Sequence, residues 1–594
     1  MRDHYTSTVD AGANNGRARY ARAHDASADD AGANNEPATP EPTTPVPTTP
    51  EPTTVEPATP EPTTPVPTTP EPTTVEPATP EPTTPVPTTP EPTTVEPATP
   101  EPTTPVPTTP EPTTVEPATP EPTTPVPTTP APTTPAPCGP RVRRSWTLLS
   151  AADKQLYRDA INASISLGYH ALFTEVHSEL SSGNEGHRTC GMIYWHRRFI
   201  LAYENMLRSL EPRFACITIP YWDYFADFAK RLAGQCTTFE GCSTFLTEFG
   251  GSVGPSATVS INGISTTGNC VSAGPLSNFC QSSTLTGTSS CSQCLPRGNW
   301  LSTAFPSGFG YASLARVLSG SYGYAWFSQN IHYGIHNSIH NAAGSTMATL
   351  ATSADPIFYN HHSTIDLVHQ IFYDCQVGRP MTEAEKKSSP YAFQQCSLSS
   401  ADVCPTVLSN MTQDWQAGSS LKMKAENHPL LAPFFSPLPS QYWFWVSNTD
   451  LGSHSYTYES DTLMTVLQAS GLSCPKNRIR RNLKSFFTVS RSTDLRTQAV
   501  IRTFNLFQDL FNDALSAVRS KDPALEQVEL AECSYYLNQF GSVDDYSDAF
   551  RRNFGLPANA HTTCYQRIIE LRTGAKRILI SNWMDKFRSY LRGL

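Results

Sequence analysis

The sequence has no run of about 18 consecutive apolar residues, so no segment reads as a membrane-spanning helix. Its first residues, MRDHYTSTVDAGANN, lack the apolar stretch of a secretory leader. No cysteine precedes Cys138, although fifteen follow from that point on. No lysine or arginine occurs between residues 36 and 137. That stretch has almost nothing apolar, which excludes a packed core there. Proline recurs in it every two to three residues, which excludes helix and sheet. Net charge is −11 but uneven, with basic runs KNRIRRNLK at 476–484 and RRNF at 551–554. Mixed charge of this kind is explained by an ordinary solvated face, so no nucleic-acid partner is expected.

What is present divides the chain into four expected parts. Residues 1–35 are polar, with DAGANN at 10–15 and again at 30–35. From Glu36 the twenty-residue unit EPATPEPTTPVPTTPEPTTV occurs four times to Val115, and a modified copy ends near Pro137. The composition predicts a disordered, polyproline-II-like stalk, dense in Thr-Pro like an O-glycosylated mucin-type spacer. A spacer is the plain reading, and attachment to an extracellular matrix the sharper one. Residues 138–475 are long enough for a full core, and within them 236–300 reads as a disulfide-tied, cysteine-rich insertion without helical period. Residues 476–594 form a helical extension from about 485. The fold class expected is mainly α.

The cysteine density points to an oxidising compartment and secretion. The missing leader conflicts with that. An incomplete start resolves the conflict, and a cytosolic protein with reduced thiols is the alternative. Cys291 and Cys294 form a CxxC with no second CxxC behind it, so disulfide bonding is expected rather than zinc. Asn162 and Asn410 lie in glycosylation sequons.

Histidine carries the chemistry. Six of the fifteen histidines lie between His332 and His369. His336 and His340 are four apart, one helical turn, so two imidazoles can grip one ion. His362 follows on a second amphipathic segment. Earlier, His177, His187 and His196 make another set of three, two on expected helices and one in a loop. Three neutral imidazoles without thiolate or carboxylate suit copper or zinc and leave a coordination position open.

These residues resemble the tyrosinase family of type 3 dicopper proteins, which includes catechol oxidases and molluscan hemocyanins. HRTCGMIYWHRRF at 187–199 is similar to the first-copper motif, and IPYWDY at 219–224 to a Pro-Tyr-Trp-Asp segment of the family. HNSIHNAAGSTM at 336–347 and DPIFYNHHSTID at 355–366 resemble the second-copper motif. The resemblance covers roughly 145–450. It implies a four-helix bundle holding two copper ions, one on His177, His187 and His196, the other on His336, His340 and His362. By the same motif His361 is set aside as a neighbour rather than a ligand. Asp366 is either an orienting partner or one side of an ion pair. The activity implied is oxidation of phenols or o-diphenols to o-quinones with dioxygen, on a small phenol or on protein-bound tyrosine. An oxygen carrier and a matrix protein with a vestigial copper site are the alternatives.

The sequence departs from the family pattern in three places. Many members have a thioether-forming Cys two residues before the second first-site histidine; Glu185 stands there, so no such bridge is expected. Asn337 matches an Asn that pairs with an upstream Glu in members that hydroxylate monophenols. Here the upstream window offers Gln329 and His332 instead, which makes His332 the candidate base and favours diphenol oxidation. The gate position falls near Thr349, a small residue. For residues 476–594 a plain helical appendage is the simpler expectation; a lid would place Tyr535, Tyr536 or Phe540 over the metals.

Overall fold

Ser150 opens the first helix with its side chain: the hydroxyl accepts the Asp153 N–H at 3.1 Å, an ordinary N-cap. Helix α1 runs Ala151–Ser166 and α2 Tyr169–Ser178. The sequence reads as one continuous periodic stretch here, but Gly168 at φ +80° breaks it. Glycine takes that left-handed conformation without the steric cost a Cβ brings, and the break turns His177 inward. Then follow α3 (Leu180–Arg188), α4 (Met192–Leu210), α5 (Tyr224–Leu232), α6 (Phe239–Cys242) and α7 (Thr244–Glu248). Beyond residue 300 come α8 (Tyr311–Ser319), α9 (Tyr324–Ile331), a π-turn at His332–His336, α10 (Asn337–Ala343), α11 (Ile357–Gln376) and α12 (Glu383–Ser388).

The fold is mainly α, as expected. This computed structural model describes residues 138–592 apart from 286–287, 320–321, 396–403 and 460–494. The polar N-terminus, the repeats and the stalk expected from them lie outside the described residues, as does the 476–484 basic run.

The core is aromatic. Tyr203 of α4 stacks on Tyr359 of α11 with ring centroids 3.5 Å apart. Phe173 of α2 stacks on Phe435 at 5.4 Å. Phe435 closes a short helix, α13 (Ala432–Phe435). The aromatic run at 434–447 thus packs the core as helical turns, Tyr442–Val446 among them. Strand β1 (Arg141–Arg143) pairs in parallel with Tyr456–Tyr458, so the two ends of the 138–459 region meet.

Behind that pairing a buried ionic cluster joins α4 to α11. Asp366 accepts Arg197 Nε at 2.5 Å, Arg143 Nη1 at 3.3 Å and the hydroxyls of Tyr456 and Tyr458 at 2.6 Å each. Burial alone would push this carboxyl up; Arg197 and Arg143 prevail and hold it below its ordinary range. Of the two roles considered for Asp366, the structure gives it the ion pair.

The insertion contains more regular structure than its composition suggested. Besides α6 and α7 it folds as a three-stranded antiparallel sheet: β2 (Ser256–Ile261), β3 (Ile264–Val271) and β4 (Leu295–Arg297). Asn262 (φ +46°) and Gly263 (φ +80°) make the tight β2–β3 turn, the Asn-Gly hairpin signal. Disulfides Cys236–Cys242, Cys270–Cys294 and Cys280–Cys291 tie it. The CxxC cysteines therefore pair outward rather than with each other. The sheet buttresses the turn after α10, where Thr346 Oγ1 donates to Pro296 O at 2.7 Å.

The C-terminal helices are α14 (Leu495–Val518), α15 (Lys521–Phe540), α16 (Asp548–Phe554), α17 (Thr563–Arg572) and α18 (Trp583–Leu591). Helix α14 lies against α5, and α15 against α8. The Cys533–Cys564 disulfide joins α15 to α17.

Candidate metal centre

Two histidine clusters face each other between α2, α3, α4, α10 and α11. Potential ligand atoms lie within 4.8 Å of one another in each: His177, His187 and His196 in one, His336, His340, His361 and His362 in the other. All seven rings are buried. The clusters touch where His196 stacks on His362, centroids 3.9 Å apart and planes 8° from parallel. His187, expected in a loop, sits in the last turn of α3.

Hydrogen bonds fix how the rings point. His177 Nδ1 donates to Leu350 O at 2.8 Å, His187 Nδ1 to Gly183 O at 2.7 Å and His196 Nδ1 to Met192 O at 2.7 Å. In the other cluster His340 Nδ1 donates to Met347 O at 2.8 Å and His336 Nδ1 to Asn337 Oδ1 at 2.9 Å. Carbonyl and amide oxygens only accept, so each Nδ1 carries the proton and each Nε2 keeps a lone pair. Among the described residues Nε2 of His187, His336 and His340 has no partner, and neither nitrogen of His362 has one. The Nε2 atoms of His177 and His196 approach to 3.3 Å, an unfavourable meeting of lone pairs that a cation removes. Burial lowers the basicity of every ring, to about 4 for His187, where Arg188 adds to the effect, and to about 3 for His340; neighbouring histidines lower every ring but His187 further. Neutral, oriented imidazoles with free Nε2 atoms are the donor set of a copper or zinc site, so the residues present fit copper.

The remaining sequence candidates are placed as follows. Asn337 is fully buried and orients His336; its Nδ2 has no protein partner. His332 lies outside the ligand cluster, its ring 5.0 Å from that of His336, with both nitrogens unpartnered. Gly334 leaves helical geometry between them. His361 joins the second cluster, its ring 4.9 Å from His340 and 5.3 Å from His336. Thr349 turns its hydroxyl to Thr346 O at 2.9 Å.

The C-terminal helices also bring an aromatic side chain to the histidines, and it is Phe554 rather than Tyr535, Tyr536 or Phe540. Its ring lies 5.4 Å from His187 and 5.7 Å from His340. Tyr535 packs on Phe587, and Tyr536 on Phe540 and Phe228. Tyr546, Phe550 and Phe554 stack along α16 and its approach. This segment is anchored by Tyr546 donating to Tyr333 O, by Asn553 Nδ2 to Ala348 O at 2.8 Å and by Asn341 Nδ2 to Asp545 O at 3.1 Å. Gly555 ends α16 at φ +65°, where a Cβ would meet the Arg188 guanidinium at 2.8 Å. The four-residue spacing of the three aromatics was the available signal.

Residues 167–374, which include all seven histidines of the two clusters, match the common central domain of tyrosinase. A tyrosinase of Streptomyces antibioticus is 26% identical over 244 residues, covering 38% of this chain and 80% of that protein. A tyrosinase of Streptomyces lincolnensis is 28% identical over 248 residues, with the same coverage of each. A solved polyphenol oxidase of Thermothelomyces thermophila aligns with 54% of this chain and 89% of its own at 19% identity and a TM-score of 0.35. Residues 167–374 of the chain thus carry a central domain of the tyrosinase type.

Proposed function

We propose that this protein is a copper-dependent oxidase that converts o-diphenols, and less readily monophenols, to o-quinones with dioxygen. The observation that carries the proposal is the pair of facing imidazole sets, with every ring but those of His361 and His362 tied at Nδ1 and its Nε2 left for a metal. His177, His187 and His196 would hold one copper ion, and His336, His340 and His362 the other. Two copper ions bound there would supply a two-electron oxidant fed by dioxygen.

The chain's own groups do the rest. Burial keeps the rings neutral and excludes water from the space between the clusters. Asn337 holds the His336 ring in register. His332, with two unpartnered nitrogens beside His336, is the group placed to take a phenolic proton. Among the described residues no carboxylate hydrogen-bonds to Asn337, which supports diphenol oxidation as the stronger activity. Phe554 closes the space above His187 and His340, so the described C-terminal helices act as a lid over the histidine clusters.

Five disulfides among the described residues support an extracellular location. Asn410 is exposed, as a glycosylated side chain must be, whereas Asn162 donates to Ser277 Oγ at 3.1 Å. A stalked extracellular oxidase suits quinone cross-linking of a matrix. The test is an assay of the copper-loaded chain on L-DOPA and on tyrosine. Turnover of L-DOPA at least tenfold faster than tyrosine is expected; oxidation of neither overturns the proposal.

A further inference from the structure

The three helices of the first histidine cluster are crossed by one short segment that belongs to none of them. Residues Thr412–Trp415 lie outside the matched central domain and hydrogen-bond to each helix in turn. On α3, Glu185 accepts Thr412 N–H at 2.8 Å and the Thr412 hydroxyl at 2.7 Å. Also on α3, Ser182 Oγ accepts Asp414 N–H at 2.8 Å. On α4, Trp195 Nε1 donates to Thr412 O at 2.8 Å, and Gln413 Nε2 donates to Trp195 O at 3.0 Å. Gln413 Oε1 also accepts Arg198 Nη1 at 2.5 Å. On α2, Glu175 accepts Trp415 Nε1 at 2.8 Å.

Each contact lies close in sequence to a cluster histidine. Glu175 is two residues before His177, Glu185 two before His187, and Trp195 immediately before His196. The Trp195 ring fills the space between the helices, 4.8 Å from His196 and 5.7 Å from His177. It sits so near Gly186 that an added Cβ there would meet it at 3.2 Å. Glu185 receives a further bond from the Tyr442 hydroxyl at 2.8 Å. That hydroxyl passes over Gly191 in the α3–α4 turn, where a Cβ would meet it at 2.5 Å.

Helix α3 has only nine residues, too few to hold its own position. Its ring-bearing last turn depends on outside contacts, and Glu185 gathers three of them on one carboxylate. We infer that Thr412–Trp415 is a positioning strap that sets the mutual geometry of His177, His187 and His196, with Glu185 as its anchor. None of these strap residues belongs to either histidine cluster. The inference rests on the dicopper reading above and adds a determinant of affinity for one of the two ions.

The experiment is a copper titration of the full apo-chain, reading copper bound per chain against free copper, with thermal melting alongside. In Glu185→Ala one of the two ions should bind at least about tenfold more weakly, the loss typical when a ligand's supporting partner is removed, while the other is unchanged. Glu185→Gln, which keeps an oxygen for Thr412 N–H and Tyr442, should recover most of that loss. Trp415→Phe, which keeps the ring but not its bond to Glu175, is the second variant and should weaken the same ion. Equal weakening of both ions, or of neither, overturns the strap. A parent chain that binds no copper instead overturns the dicopper reading itself.

Discussion

Phe554 offers a quantitative test of the lid. Its side chain is 1% exposed and meets histidines from both clusters. Burying a phenylalanine contributes about 1.5–3 kcal/mol. Each aromatic contact adds about 0.5–1.5 kcal/mol. Phe554→Ala should therefore remove about 3–5 kcal/mol from the closed arrangement, the range seen for buried Phe→Ala changes. At about 1.4 kcal/mol per factor of ten, even 3 kcal/mol shifts the closed–open balance by about 100-fold. The assay is kcat/KM for a bulky o-diphenol, with copper content measured on the same samples. An increase of up to about 100-fold is expected, capped once the open form dominates, with Phe554→Leu in between. Unchanged kcat/KM in a folded, copper-loaded Phe554→Ala refutes the lid.

Other perturbations follow from the same contacts. Asp366→Asn leaves Arg197 and Arg143 without their shared buried carboxylate and should cost about 3–5 kcal/mol in urea denaturation. Because the Asp366 pKa is depressed, its contribution is present above its ordinary value of 3.8 and is lost as pH falls through the lowered one. An unchanged urea midpoint at pH 7 contradicts this account. Glu532 lies on α15 against Gly310, and burial beside Glu529 pushes it up to about 8. The folded state then holds a proton the unfolded state releases, so stability falls as pH rises from about 5 to 8. Glu532→Gln should flatten that slope in melts taken across the window, and a parallel slope in both proteins argues otherwise. Asn337→Ala removes the acceptor of His336 Nδ1 and should weaken copper binding about 10–100-fold, whereas Asn337→Asp should retain it; equal affinity in both variants and parent counts against the role.

Local signals in the sequence translated well where one residue type had one physical job. The Ser150 cap, the helix carrying His361 and His362 and the grouping of His177 with His187 and His196 follow from capping, period and spacing. The insertion was legible only in part, because its Asn262-Gly263 turn was outweighed by a composition that looked irregular. The helix break at Gly168 was hidden because the apolar period continues through it. Phe554 and the Thr412–Trp415 strap were beyond reach for a different reason. Both act on the histidines across more than 200 residues of chain, and no local pattern encodes which distant backbone will arrive there. Glu185 was visible as a departure from a family pattern, yet its partners Thr412 and Tyr442 appear only in three dimensions.

The most direct test of the account is the copper-to-protein ratio of the purified, reconstituted full chain. Two copper ions per chain are predicted, falling to one in His196→Ala at a copper level that saturates the parent. A parent ratio of zero or one contradicts the dicopper centre.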